Sequence, residues 1–362
     1  MINQKRIVVA MSGGVDSSVA ALLLKRKGWE VIGMTMCFNL PDIASKKPRC
    51  CGIQGINDAR RVAHKLRIRH YVVNMQKILQ EKVIADFSRE YLSGRTPNPC
   101  VRCNQYVKFE ALLKKALALG ARYLATGHYA RIAGVQGTGL GVQKYLLKKA
   151  KDKHKDQSYF LYRLGQQQLK HILFPLGNYI KQQVREIARK AGLAVAEKKE
   201  SQEICFLPGA DYRAFLKNQI NAKIKPGLII DRDGIILGQH QGIAFYTIGQ
   251  REGLGIAKGY PLYISEINAR NNSITAGPKE EALKREFLAG ELHFIGEPIK
   301  KKVALKVKIR YNHQEQKAWV AVSGSRLKIS FKKPQFAVTP GQSAVFYDKN
   351  TVIGGGIIEK VL

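Results

Sequence analysis

Acidic side chains are scarce in this chain. Against 61 Lys and Arg stand 27 Asp and Glu, a formal net charge of +34 over 362 residues. A surface so basic attracts polyanions and releases their counterions on binding, so nucleic acid is the partner class to expect. Long hydrophobic runs are missing as well: no stretch approaches the roughly 20 apolar residues that span a bilayer. The opening MINQKRIVVAM has neither the apolar run nor the small-residue cleavage site of a secretory signal. A cytoplasmic protein with no membrane partner is therefore expected. Cysteine is sparse too, at Cys37, Cys50, Cys51, Cys100, Cys103 and Cys205. In a reducing compartment these read as catalytic, metal-binding or buried side chains rather than as a disulfide framework.

What is present is an ordinary globular composition, 45% hydrophobic, in a chain long enough for two or three domains. Over residues 5–130, RIVVAM, EVIGMTM, HYVVNM and RYLATGHYA have the β-branched texture of buried strands. Between them SSVAALLLKRKG, INDARRVAHKL and FEALLKKALALG have helical spacing. That alternation predicts an α/β fold, a doubly wound parallel sheet with ligands at the carboxyl ends of its strands. A Lys-rich, more helical stretch follows to about residue 200 and includes IKQQVREIARKAGL, which closes on Gly192 as a C-cap. From 208 onward short β-type runs take over, with hairpin signals at Asp233-Gly234 and Asn271-Asn272. The expected boundaries are 1–207 for the α/β part with its helical extension, 208–280 for a small central β domain and 281–362 for a C-terminal β barrel.

Two stretches carry chemistry. SGGVDSS, residues 12–18, directly follows the first strand and opens the first helix. Its glycines allow close backbone approach, its serines add donors, and the helix start presents N–H groups to an anion. It lacks the lysine of the GxxxxGK[ST] loop; the plain alternative is a glycine turn with an Asp or Ser N-cap. TPNPCVRCN, residues 96–104, sets two cysteines three apart in what reads as a loop fixed by two prolines.

SGGVDS after an N-terminal strand resembles the PP-loop of the ATP pyrophosphatases, which cleave ATP between the α and β phosphates and adenylate a substrate. TPNPCVRCNQYVKF (96–109), ATGHYAR (125–131), KDQSYFL (155–161), ESQEICFLPG (200–209), YTIGQREGLGI (246–256), KIRY (308–311) and TPGQSAVFY (339–347) narrow the choice. Together, in order from residue 5 to 360, they resemble the bacterial tRNA-specific 2-thiouridylases, the MnmA or TrmU family. The resemblance implies adenylation of the C2 oxygen of wobble uridine 34 in the tRNAs for Lys, Glu and Gln, followed by sulfur transfer to give 2-thiouridine. Residues Ala10, Met11, Ser12, Gly13, Gly14, Val15, Asp16 and Ser17 match the family's nucleotide loop, and Met36 and Gly127 complete its ATP site. Magnesium is expected with ATP, with Asp16 as its candidate ligand. Cys103 matches the first catalytic cysteine and Cys205 the one that carries a persulfide. Asn98, Pro99 and Cys100 match the target-base contact. His128, Lys155, Asp156, Gln157, Arg310, Tyr311 and Gln342 match other RNA-contacting positions. A sulfur donor, such as a cysteine desulfurase or a relay protein, is the second expected partner. The basic runs at 144–155 and 300–311 suit an RNA grip or are plain solvated faces.

One departure stands out: many family members carry aspartate where this chain has Cys100. A carboxylate is lost and a soft ligand gained. Three readings follow. Cys103 and Cys205 run a persulfide and disulfide cycle with Arg102 as a helpful cation, Cys100 being a bystander or resolving thiol. Alternatively Cys100, Cys103 and Cys205 hold three irons of a [4Fe-4S] cluster, or the CxxC is half of a zinc site. Beyond this family, a PP-loop amidating or ligating enzyme and a non-catalytic RNA-binding protein are the competing functions. Substituting Cys103 or Cys205 would leave the first of these intact, and failure to bind ATP would favour the second.

Overall fold

The computed structural model describes residues 3–38, 40–41, 48–49, 53–136, 143–200, 204–207, 212–220 and 224–362. Cys50 and Cys51, which the sequence left without a role, lie outside them. The chain divides into two units, one of residues 1–82, 100–208 and 350–353, the other of 83–99, 209–349 and 354–362.

In the first unit, strands β1 (Asn3–Ala10), β2 (Glu30–Cys37), β3 (Arg69–Asn74) and β4 (Ala121–Ala125) precede a hairpin, β5 (Ala130–Gln136) and β6 (Gln143–Lys149), and a short β7 (Ile172–Leu173). Five of them form one parallel sheet in the order β3-β2-β1-β4-β7. Ile7 registers with Val31, and Val9 with both Gly33 and Ala125. Because the chain runs outward from β1 through β2 and β3 and then returns to β4, a crevice opens where β1 and β4 end. SGGVDSS and TGH leave the sheet at those two ends.

Helix α1 (Val15–Arg26) is rich in Ala and Leu, which favour helix, and buries Val19, Ala20, Leu22 and Leu24. Each fully buried Val or Leu contributes about 1.5–3 kcal/mol. Amphipathic α2 (Ile53–Lys65) buries Ile56, Ala59, Val62 and Ala63. Helix α3 spans Leu113–Ala118, and α4 (Lys181–Lys190) ends before Gly192, whose φ of +60° suits a C-terminal glycine.

Several segments fold differently from what their local pattern predicts. HYVVNM is an edge strand rather than a buried one, with Tyr71 and Val72 exposed, because nothing in the sheet pairs beyond β3. RYLATGHYA is interrupted at 126–129, where the chain must leave the sheet to line the crevice. The Lys-rich stretch holds the β5–β6 hairpin. TPNPCVRCN is not a loop throughout: Pro99, at a helix start where its missing N–H costs nothing, begins Pro99–Arg102, and Cys103–Leu112 continues as a π-helix into α3. Cys37 at the end of β2 is disulfide-bonded, against the expectation for the cysteines.

In the second unit, Gly227–Ile230, Ile236–His240, Tyr263–Asn268 and Ser273–Gly277 form a four-stranded sheet. Gly234 and Asn272 turn its hairpins at φ +85° and +52°. GIAFYTIG, one of the short β-type runs after residue 208, holds a short 3-10 turn, Ile243–Phe245, entered through Gly242 at φ +136°. Six further strands from Leu283 to Val361 close a barrel by pairing Leu283–Phe294 with Thr351–Val361.

Candidate active site

The glycine loop is a made-to-shape cradle. Gly13 takes φ +72°, and a Cβ there would stand 2.1 Å from the Gly55 carbonyl oxygen of α2. Gly14 is the N-cap of α1 and brings no side chain to its first N–H groups, so the Asp or Ser cap of the plain reading is not what forms. Instead the serines brace the turn: Ser12 N–H donates to Ser17 Oγ at 3.1 Å, and Ser17 and Ser18 hydroxyls donate to Gly14 O at 3.2 and 2.9 Å. Met11 and Val15 are core residues, whereas Met36 is half-buried at the end of β2. Gly127 lies directly on the first turn of α1, its absent Cβ position 2.7 Å from Ser17 N. Ala10 to Ser17 and Gly127 therefore come together.

A lattice of charges surrounds this cradle that the sequence did not reveal. Lys181 Nζ contacts Asp16 Oδ1 and Oδ2 at 2.7 and 2.8 Å and Glu200 Oε1 at 2.8 Å. Tyr129 donates its hydroxyl to Asp16 Oδ1 at 2.8 Å. Lys155 reaches Glu200 Oε2 at 2.7 Å. Burial works to raise the Glu200 carboxyl, but the hydrogen bonds from Lys155 and Lys181 overcome it and pull its pKa down to about 2. Lys198 Nζ donates to Gly13 O at 3.1 Å and to Asp58 Oδ2 at 2.6 Å. Both Asp16 oxygens are thus committed to a cation and a phenol, which does not fit a ready-made magnesium ligand. Among the described residues no group of three or more His, Cys, Asp or Glu gathers as a metal holder.

The second cluster is built of thiols. Buried Cys103 opens the π-helix, and exposed Cys205 forms a side-chain hydrogen bond with it. The pair titrates as a unit. The Cys205 hydrogen bond, opposed by burial and aided by the Lys108 charge, favours a thiolate on Cys103; the second proton, on Cys205, is then held far more tightly. Cys100, one turn earlier, is pushed up to about 11 by burial. A cluster held by all three sulfurs would have to stand between Cys103 and Cys205. Their direct contact does not fit that ligand set and suits thiol–disulfide exchange.

Lys108 belongs to the same TPNPCVRCNQYVKF stretch, and nothing in the sequence marks its role. In an α-helix, position i+5 lies about 140° around the axis from position i; i→i+5 winding instead brings it back over the same face. That register places the ammonium where Cys100, Cys103, Cys205 and His128 all sense it. It donates to Asn104 Oδ1 at 2.8 Å, and the buried Asn104 amide is fixed on Phe160 O at 3.1 Å. Burial and Lys108 together keep His128 neutral, its ring against Phe109 and Phe174.

The remaining sequence candidates divide by unit. In the first, the Asp156 carboxylate accepts from Ala150 N, Ser158 N and Ser158 Oγ, and Gln157 braces Tyr129 through two bonds. In the second, Gln342 donates to Thr96 O and Pro97 O at 3.0 and 3.1 Å, holding the approach to Asn98 and Pro99. Arg310 donates to Phe336 O, and Lys308 lies over the Tyr311 ring.

A glycine loop that opens a helix at the switch point of a parallel sheet is the form of a nucleotide-binding α/β domain. The tRNA methyl transferase HUP domain model matches residues 5–209, the corresponding PRC-barrel model 213–278, and the aminomethyltransferase β-barrel model 284–358. Relatives named tRNA-specific 2-thiouridylase MnmA extend the likeness to the full chain. That of Carboxydothermus hydrogenoformans is 49% identical, covering all of both chains. That of Halothermothrix orenii is 50% identical over 98% of this chain and 99% of its own, and that of Clostridium acetobutylicum 47% over 98% and 99%. The chain belongs to the tRNA-specific 2-thiouridylase family.

Proposed function

We propose that this protein is a tRNA-uridine 2-sulfurtransferase that uses ATP to adenylate the C2 oxygen of wobble uridine 34 in the tRNAs for Lys, Glu and Gln and replaces that oxygen by sulfur. The observation that carries the reading is the Cys103–Cys205 thiol pair beside a neutral His128 and the Lys108 ammonium. A carbonyl oxygen leaves poorly until it carries a phosphoryl substituent, which is the task of ATP held by residues 10–17, Met36 and Gly127. A sulfur donor, such as a cysteine desulfurase or relay protein, loads Cys205 as a persulfide. Its terminal sulfur attacks C2 and AMP leaves. The Cys103 thiolate then attacks Cys205 Sγ, forming the disulfide while the S–S electron pair stays on the sulfur at C2, giving 2-thiouridine; a thiol reductant resets the pair. The base must be unstacked to reach such chemistry, and the net charge supplies the grip on RNA. Asn98 to Cys100, His128, Lys155 to Gln157, Arg310, Tyr311 and Gln342 are the RNA contacts in this reading.

The test is an anaerobic assay with unmodified tRNA, ATP and a persulfide donor. It reads 2-thiouridine by nucleoside mass spectrometry alongside AMP, pyrophosphate and bound iron. AMP in step with 2-thiouridine, its loss in Cys103→Ser and Cys205→Ser, and negligible iron are expected. ATP turnover with no thiolated nucleoside overturns the function. About four irons per chain, needed for activity, return the three cysteines to a cluster.

A further inference from the structure

The loop SGGVDSS has no Lys or Arg of its own, whereas the GxxxxGK[ST] loop places a lysine on its polyphosphate. We propose that Lys181 and Lys198 are the phosphate-binding cations of the nucleotide site, supplied from outside the loop and parked on carboxylates until ATP takes them. The proposal rests on the ATP-using reading above. Lys198 Nζ stands 3.1 Å from Gly13 O, inside the loop itself, and Lys181 Nζ is on Asp16 at the first turn of α1. Both lysines are drawn in from solvent, their side chains 34% and 12% exposed.

Their placement is fixed from behind. Arg185 holds the carbonyls of Ala196 and Lys198 at 2.7 and 3.3 Å, and Lys181 N–H donates to Asp152 Oδ2 at 2.9 Å. Two of the three carboxylates that hold the ammoniums have another cation in reach. Asp58 has Arg61 at 3.8 Å, and Glu200 has Lys155 at 2.7 Å and Arg185 at 4.0 Å. Asp16 retains the Tyr129 hydroxyl. When a triphosphate, with more charge than any one carboxylate, draws the lysines away, Asp58 and Glu200 keep a cation and Asp16 keeps a hydroxyl donor, which limits the cost of the exchange. Two ammoniums on two different segments do what one lysine does in the GxxxxGK[ST] loop.

Binding of ATP and of adenosine to the full chain, measured by calorimetry, tests this. Lys181→Met and Lys198→Met should each weaken ATP roughly 10- to 100-fold while adenosine binds unchanged, and Lys198→Arg should retain most of the affinity. Asp58→Asn, which frees Lys198, should tighten ATP several-fold, an effect opposite to that of any loss of structure. Unchanged ATP affinity in both methionine variants overturns the proposal, as does equal weakening of ATP and adenosine, which marks a brace rather than a phosphate contact. If the unmodified chain binds no ATP, the function reading falls and takes this proposal with it. If it binds ATP and the variants match it, this proposal alone falls.

Discussion

Replacing Gly127 by alanine tests the join between the two loops that line the crevice. A Cβ there would stand 2.7 Å from Ser17 N, 2.8 Å from Asp16 C and 3.0 Å from Asp16 Cβ. These belong to the first turn of α1, so no flexible side-chain end can swing aside, and restoring ordinary contact takes a shift of about 0.7 Å in a close-packed region. Asp16 is tied by Tyr129 at 2.8 Å, two residues beyond the substitution, and by Lys181. The wedge thus pushes on the residue its own segment holds. Gly127 does not have a left-handed φ, which makes the penalty steric. Overpacking of this kind costs about 1–3 kcal/mol, or about 2–4 °C in Tm for each kcal/mol in a unit of this size. Because the displaced atoms form the nucleotide cradle, ATP affinity should fall roughly tenfold or more. Gly134→Ala is the control: a Cβ there meets nothing within 4 Å, so Tm and ATP affinity should stay put, within about 0.5 kcal/mol. Differential scanning calorimetry and titration calorimetry read both quantities. A Gly127→Ala protein that melts and binds like the parent would refute the packing of Gly127 on α1.

Two further outcomes follow from the charges. Alkylation by iodoacetamide should consume one thiol of the Cys103–Cys205 pair first, at a rate that rises with pH through a midpoint below that of an ordinary thiol, with Cys100 last. Cys205→Ala removes the hydrogen bond and should slow Cys103 near neutrality; an unchanged pH profile would sink the pairing. Burial lowers the pKa of His70, His128, His240 and His313 from 6.5. The unfolded chain therefore binds more protons below about pH 6.5, and stability should fall as pH drops through that window and level off above it, by at most about 1.4 kcal/mol per pH unit per histidine. The urea midpoint should fall less between pH 7 and 5.5 in His128→Gln than in the parent; a steeper acid limb in the variant contradicts the buried neutral ring.

How much of this was legible beforehand depends on the range of the interaction. The parallel sheet and its glycine loop could be read because strand and helix periods, and the punctuation of Gly13, Gly14 and Gly192, are local signals. The motifs around Cys103, Cys205 and Gly127 were equally visible, as was the hairpin turn at Gly234. The π-helix was not, because VRCNQYVKF fits α winding just as well, and only packing against neighbouring elements selects a register that carries Lys108 onto the cysteine face. Nor could the sequence show that Lys181 and Lys198, 165 and 185 residues from their partners Asp16 and Gly13, complete a loop that has no lysine. The sequence by itself determined the fold class and the family, since these rest on local pattern and composition. Tertiary structure alone decided which thiols touch, which histidines burial keeps neutral and where the positive charge stands, because Coulomb and hydrogen-bond energies depend on distance in space and not along the chain.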